Sequence, residues 1–127
     1  MTYRLLVTGS RHWRNVPVVE SELGAWWDEV GRDRDAVLVH GSAAGLDSIA
    51  ATVWQQWGLP VEPHPANWRR YGRAAGPNRN QEMVDLGAHT CLAFPVANSR
   101  GTWDCVRRAV AVRIPTRVVR DSGPSGR

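Results

Sequence analysis

The sequence predicts an α/β protein: a three-layer, doubly wound Rossmann-like fold around a mostly parallel sheet of about five strands. Short apolar runs alternate with segments of helical period, the first two runs each stop at a glycine, and the composition, 43% hydrophobic and 22% charged, is that of an ordinary globular chain. At 127 residues the chain has the size of one domain with its own core. That domain is expected over residues 1–120, followed by a disordered tail over 121–127, where Ser, Gly and Pro leave nothing to bury.

The first strand is read at residues 4–8, ended by Gly9, and the second at 36–40, ended by Gly41. Between them Val19, Leu23, Trp26, Trp27 and Val30 form the stripe of a helix lying on a sheet, with Pro17 in its first turn. A second helix is predicted over 46–57, with Ile49, Val53, Trp54 and Trp57 inward and Gly58 as its stop. A short third strand follows near 60–64. The third helix starts near Pro77 and ends at Gly87, the fourth strand is 90–94, the fourth helix is 102–112 with Val106, Ala109 and Val110 on its buried side, and the fifth strand is 116–119. Right-handed crossovers joining these elements suggest the strand order 3-2-1-4-5.

No apolar run approaches the roughly 20 residues needed to span a bilayer, and the start of the chain lacks the pattern of a secretory signal, so a cytoplasmic protein with no membrane partner is expected. Cys91 and Cys105 read as reduced core thiols. The net charge is +4 and every Lys/Arg position is arginine, whose planar fork matches phosphate and carboxylate. No residue pattern calls for a metal or a cofactor.

In open α/β sheets the ligand crevice lies beyond the carboxyl ends of the strands. Three segments fall there: Gly9, Ser10, Arg11 and His12; then Gly41, Ser42, Gly45 and Asp47; then Ser99, Arg100, Gly101 and Thr102. Each combines glycine with a hydroxyl and leads toward a helix, so each can offer backbone and side-chain donors to a phosphate. None reproduces Gly-x-Gly-x-x-Gly or a P-loop, which argues against a dehydrogenase or ATPase. A long polar connection over 67–80 places Asn78, Arg79 and Asn80 in the first turn of the third helix, with Arg79 as the positive charge beside the ligand. Trp68 and Trp103 flank the crevice and are candidates to stack on a base. His12 and His40 have no evident carboxylate partner, which favours structural roles. Asp47 is expected either to meet a ribose hydroxyl or to brace its loop.

Taken in order, Val7-Thr8-Gly9-Ser10-Arg11, Val39-His40-Gly41, Gly45-x-Asp47, Pro65-Ala66-Asn67-Trp68, Gly76-Pro77-x-Arg79-Asn80-x-x-Met83, Phe94-Pro95 and Ser99-Arg100-Gly101-Thr102-Trp103 resemble the SLOG superfamily, most closely its YspA-like (DUF2493) members. The resemblance implies recognition of a small nucleotide-like ligand, with Asn67, Trp68 and Asn80 beside the glycine corners, and a homodimer. Arg79-Asn80-Gln81-Glu82-Met83 is similar to the Arg-Lys-x-x-Met segment of the Lonely Guy phosphoribohydrolases, where the arginine is catalytic. Their second motif is matched only at Gly101-Thr102, because Cys105 stands at the position of the catalytic glutamate. An N-glycosidase would therefore need Asp104 or Glu82 beside Arg79. A neutral thiol does not stabilise the positive charge that builds on ribose. Gly9-Ser10-Arg11 and the segment from Gly41 to Asp47 also resemble the DNA-processing protein A family, which makes single-stranded nucleic acid the less favoured partner.

Overall fold

The computed structural model describes residues 2–32 and 35–121. The elements run β1 (Tyr3–Gly9), α1 (Val16–Trp26), β2 (Ala36–His40), α2 (Leu46–Gln56), β3 (Val61–Pro63), α3 (Trp68–Tyr71), α4 (Ala75–Asp85), β4 (Thr90–Phe94), α5 (Arg100–Ala111) and β5 (Thr116–Val118). All four strand pairings are parallel and the order is β3-β2-β1-β4-β5, the order suggested by the crossovers.

Successive residues of a strand point to opposite faces. In β1, Leu5 and Val7 join Val19, Leu23 and Trp26 of α1 and Ala50, Val53 and Trp54 of α2 in one core. Leu6 points the other way, to Met83 and Val84 of α4 and Cys105 and Ala109 of α5. A strand covered on both sides must be apolar throughout, which is why β1 and β2 read as unbroken hydrophobic runs. Trp54 sits at the centre of an aromatic cluster, with ring centroids 6.1, 5.7 and 6.0 Å from those of Trp26, Trp27 and Trp57.

Several details differ from the periodicity reading. The connection before α4 is helical rather than an open loop: Asn67 Oδ1 accepts from the Arg70 N–H at 3.1 Å to cap α3, and a 3₁₀ turn over Gly72–Ala74 leads straight into α4, which begins two residues before Pro77. Trp57 is 40% exposed despite touching Trp54, because it follows the last turn of α2. Val110 is 56% exposed: the inward face of α5 is Thr102, Cys105 and Ala109, small residues that let the helix lie close to the sheet. Residues 122–127 of the expected tail lie outside the described residues. Asp121 accepts a hydrogen bond from Asn15 Nδ2 at 3.1 Å.

The first half of the chain winds from β1 to one edge and the second half from β4 to the other. The switch point therefore lies between β1 and β4, where an open α/β sheet leaves its crevice.

Candidate functional site

Three chain corners meet at this switch point because backbone bonds hold them together. The Ser10 N–H donates to the Phe94 carbonyl at 3.0 Å, joining the end of β1 to the end of β4. The Ser10 carbonyl accepts from the Leu46 N–H at 3.0 Å, drawing the start of α2 onto the same corner. Two glycines allow that approach. A Cβ on Gly9 would collide with the Leu46 side chain, and one on Gly45, at φ +75°, would collide with the Arg11 backbone.

The second corner is braced from within. Asp47 Oδ2 accepts from the Gly41 N–H at 3.0 Å and the Ala43 N–H at 3.3 Å, and His40 Nδ1 accepts from the Ser42 N–H at 3.0 Å. At the third corner the Ser99 hydroxyl donates to the Val96 carbonyl and accepts from the Val96 N–H, so no side chain caps the first turn of α5. Uncapped first-turn N–H groups are a favourable seat for an anion. Asn80, buried on α4, donates to the Gly101 carbonyl at 3.2 Å and to Asp104 Oδ2 at 3.0 Å, which fixes α5 against α4.

The corners enclose a cavity of 280 Å³. Of the candidate residues, Gly9, Ser10, Arg11, Gly41 and Asp47 line it from the first two corners, Arg79 and Asn80 from α4, and Ser99, Arg100, Gly101 and Thr102 from the third. Arg79 donates through Nε to Asn80 Oδ1 at 2.9 Å and through Nη1 to the Gly41 carbonyl. Burial pushes the Asp47 carboxyl up to about 6, opposed by the Ala43 N–H, the Arg79 charge and the Gly41 N–H. Burial, with His64 and Arg79 nearby, lowers His40, in keeping with its acceptor role toward Ser42.

Other candidates lie elsewhere. Ser42 is exposed at φ +60°, a left-handed conformation that turns it away from the cavity, and Gly45 serves the close approach to Arg11. Asn67 and Glu82 line a separate cavity of 530 Å³ that shares Arg79, and Trp68 is 54% exposed with its ring against the start of α4. Asp104 lines a third cavity, of 700 Å³, together with Trp103, Arg73 and Arg107. Burial raises the Asp104 carboxyl, but Arg108 at 2.9 Å, Asn80 and Arg107 outweigh it and hold the group below its ordinary value. The Cys105 thiol is fully buried; its hydrogen bond with Cys91, together with burial, holds the Cys91 thiol well above its usual value.

Sequence reading gave no role to Trp13 or His64 and carried Met83 only within a motif. Trp13 is buried edge-on to Phe94 at 5.3 Å and forms the floor under the first corner. Met83 lines the cavity one helical turn after Arg79, a relation visible in the i, i+4 spacing. His64 sits between two carboxylates, Glu62 and Glu82, each at 2.6 Å, and Glu62 also takes a bidentate bond from Arg4 that draws its carboxyl down to about 2. The i, i+2 spacing of Glu62, on β3, and His64, the residue that follows the strand, was the available signal.

The model of the YspA, cpYpsA-related SLOG family matches residues 3–71. The "Gene 61 protein" of Mycobacterium phage D29 is 44% identical over 118 residues, covering 88% of this chain and 92% of that protein. This chain belongs to the YspA, cpYpsA-related SLOG family. No solved structure matches. Membership in the SLOG family brings with it the general nucleotide-binding or sensing capacity of this Rossmann-like fold. The matched stretch holds the first two corners of the cavity, while Arg79 and the third corner lie beyond it. Among the described residues no helix of this SLOG chain is long and apolar enough to cross a membrane, and no group of three His, Cys, Asp or Glu is placed to hold a metal ion.

Proposed function

We propose that the cavity binds the phosphate of a nucleotide or nucleotide derivative, such as a nucleoside monophosphate or ADP-ribose, and that the protein acts as a binding or sensing domain for it. The observation that carries this reading is the meeting of three chain corners and three arginines, Arg11, Arg79 and Arg100, in one cavity. Backbone amides at an uncapped helix start and guanidinium groups are the donors that phosphate oxygens favour. Isothermal titration with nucleoside monophosphates and ADP-ribose tests it. Binding is expected, and Arg79→Ala should weaken it by about 1.5 to 3 kcal/mol, the range for hydrogen bonds to charged groups. Full affinity in that variant removes Arg79 from the site, and no binding of any nucleotide ends the proposal.

A nucleotide N-glycosidase is the second reading, and one observation favours a form of it. Among the described residues Asp47 is the one carboxylate lining the cavity, whereas Asp104 and Glu82 face its neighbours. A carboxylate there is chemically suited to stabilise positive charge developing on ribose. Release of free base from a nucleotide panel, lost in Asp47→Asn, would establish turnover.

A further inference from the structure

The two oxygens of Asp47 have different surroundings. Oδ2 accepts two backbone N–H groups, but no group among the described residues donates to Oδ1, although the atom is buried and the residue only 5% exposed. A buried acceptor left without a donor costs on the order of 1 to 3 kcal/mol, and more when the group is charged. Its residue lines the 280 Å³ cavity, so a ligand that displaces the atoms closing over Oδ1 can supply the missing hydrogen.

The rest of the wall restricts which donor fits. Arg11, Arg79 and Arg100 select an anion, and an anion with no hydrogen to give would be repelled by the carboxylate among them. An ammonium donor would in turn be disfavoured by the three guanidinium groups. A ligand with an anionic end and a neutral hydroxyl close by satisfies both. The volume, near the lower limit for small-molecule sites, suits a sugar phosphate. The remainder of a nucleotide can continue over the rim of Asn80, Asn98 and Gly101, which is shared with the larger cavity holding Trp103.

Building on the phosphate-binding reading above, we propose that Asp47 Oδ1 makes this cavity selective for phosphorylated ribose with free cis hydroxyls, over deoxyribose phosphates and inorganic phosphate. Oδ2 shapes the loop and Oδ1 reads the sugar. A DNA strand, with no 2′-hydroxyl and its 3′-oxygen esterified, offers Oδ1 no such hydrogen.

Titration of the wild-type protein with AMP, GMP, CMP and UMP, each against its 2′,3′-dideoxy counterpart, tests this without any substitution. The ribonucleotide that binds should do so at least about tenfold more tightly than its dideoxy form, since a buried polar group left unpaired is a strong discriminator. Asp47→Asn, whose amide can keep its oxygen on the two backbone N–H groups and place its NH₂ where Oδ1 was, replaces a charged acceptor by a neutral donor to the hydroxyl oxygen and should lower that ratio without abolishing it. Equal wild-type affinity for both forms overturns the inference and leaves phosphate binding standing. Absence of binding by every nucleotide overturns both.

Discussion

Arg79 lies across Gly41: its guanidinium donates through Nη1 to the Gly41 carbonyl and fills the space that a Cβ on Gly41 would need. The absence of one methyl group on the second corner thus seats a cation carried by a helix 38 residues away.

Gly41→Ala should therefore impair the site more than the fold. Gly41 is not in the left-handed region, and the obstructing atoms are the far end of a flexible side chain. The new methyl should push the guanidinium aside at a stability cost under about 1 kcal/mol. Nucleotide affinity should fall about tenfold or more, as for loss of a charged hydrogen bond. Thermal melting and calorimetry on one preparation measure both. A variant that melts early and binds normally would contradict this account.

Gly45 and Gly58 both have positive φ, +75° and +77°, but Gly45, at ψ −121°, also lies outside the left-handed helical well. A Cβ on Gly58 meets nothing within 4 Å, whereas one on Gly45 runs into the Arg11 backbone. Urea denaturation of Gly58→Ala should show only the conformational cost of about 1 kcal/mol. Gly45→Ala should lose more than about 3 kcal/mol, because rigid backbone must move as well. Equal losses would mean that the α2 corner does not depend on this approach.

The raised carboxyl of Asp47 gives a pH dependence of definite sign. Its value of about 6 in the folded protein lies above the ordinary 3.8, so the folded state holds the proton more tightly than the unfolded chain. As pH rises from about 4 to 6 the protein must ionise a buried acid, and stability from this group falls by up to about 3 kcal/mol. Asp47→Asn removes that slope. Measured against wild type by urea denaturation, the variant should gain relative stability between pH 4 and pH 7, while the opposing titration of His40 is common to both proteins and cancels. A difference independent of pH would show that Asp47 titrates normally.

Much of this architecture could be read from short-range pattern. The apolar runs of β1 and β2 announce strands covered on both faces, Val19, Leu23 and Trp26 announce α1, and the glycines ending β1 and β2 mark where the chain turns at the crevice. Inward faces were harder to assign. Val110 reads as core by hydrophobicity but points outward, because the close packing of α5 is set by Thr102, Cys105 and Ala109. Trp13, read with no role, lies in the core because β4 places Phe94 beside it.

The sequence alone determined the class of the protein and the three corners that can offer amides, since each depends on residues adjacent in the chain or one helical turn apart; the strand order it only suggested, and the pairing of distant strands decided it. Only the tertiary structure decided that these corners enclose one cavity, that Arg79 rests on Gly41, that Asp104 and Glu82 face other cavities, and that Asp47 keeps one oxygen bound and the other without a protein donor. Those outcomes depend on strand register and crossover packing between distant segments, and burial is a property of neighbours that the local sequence does not name.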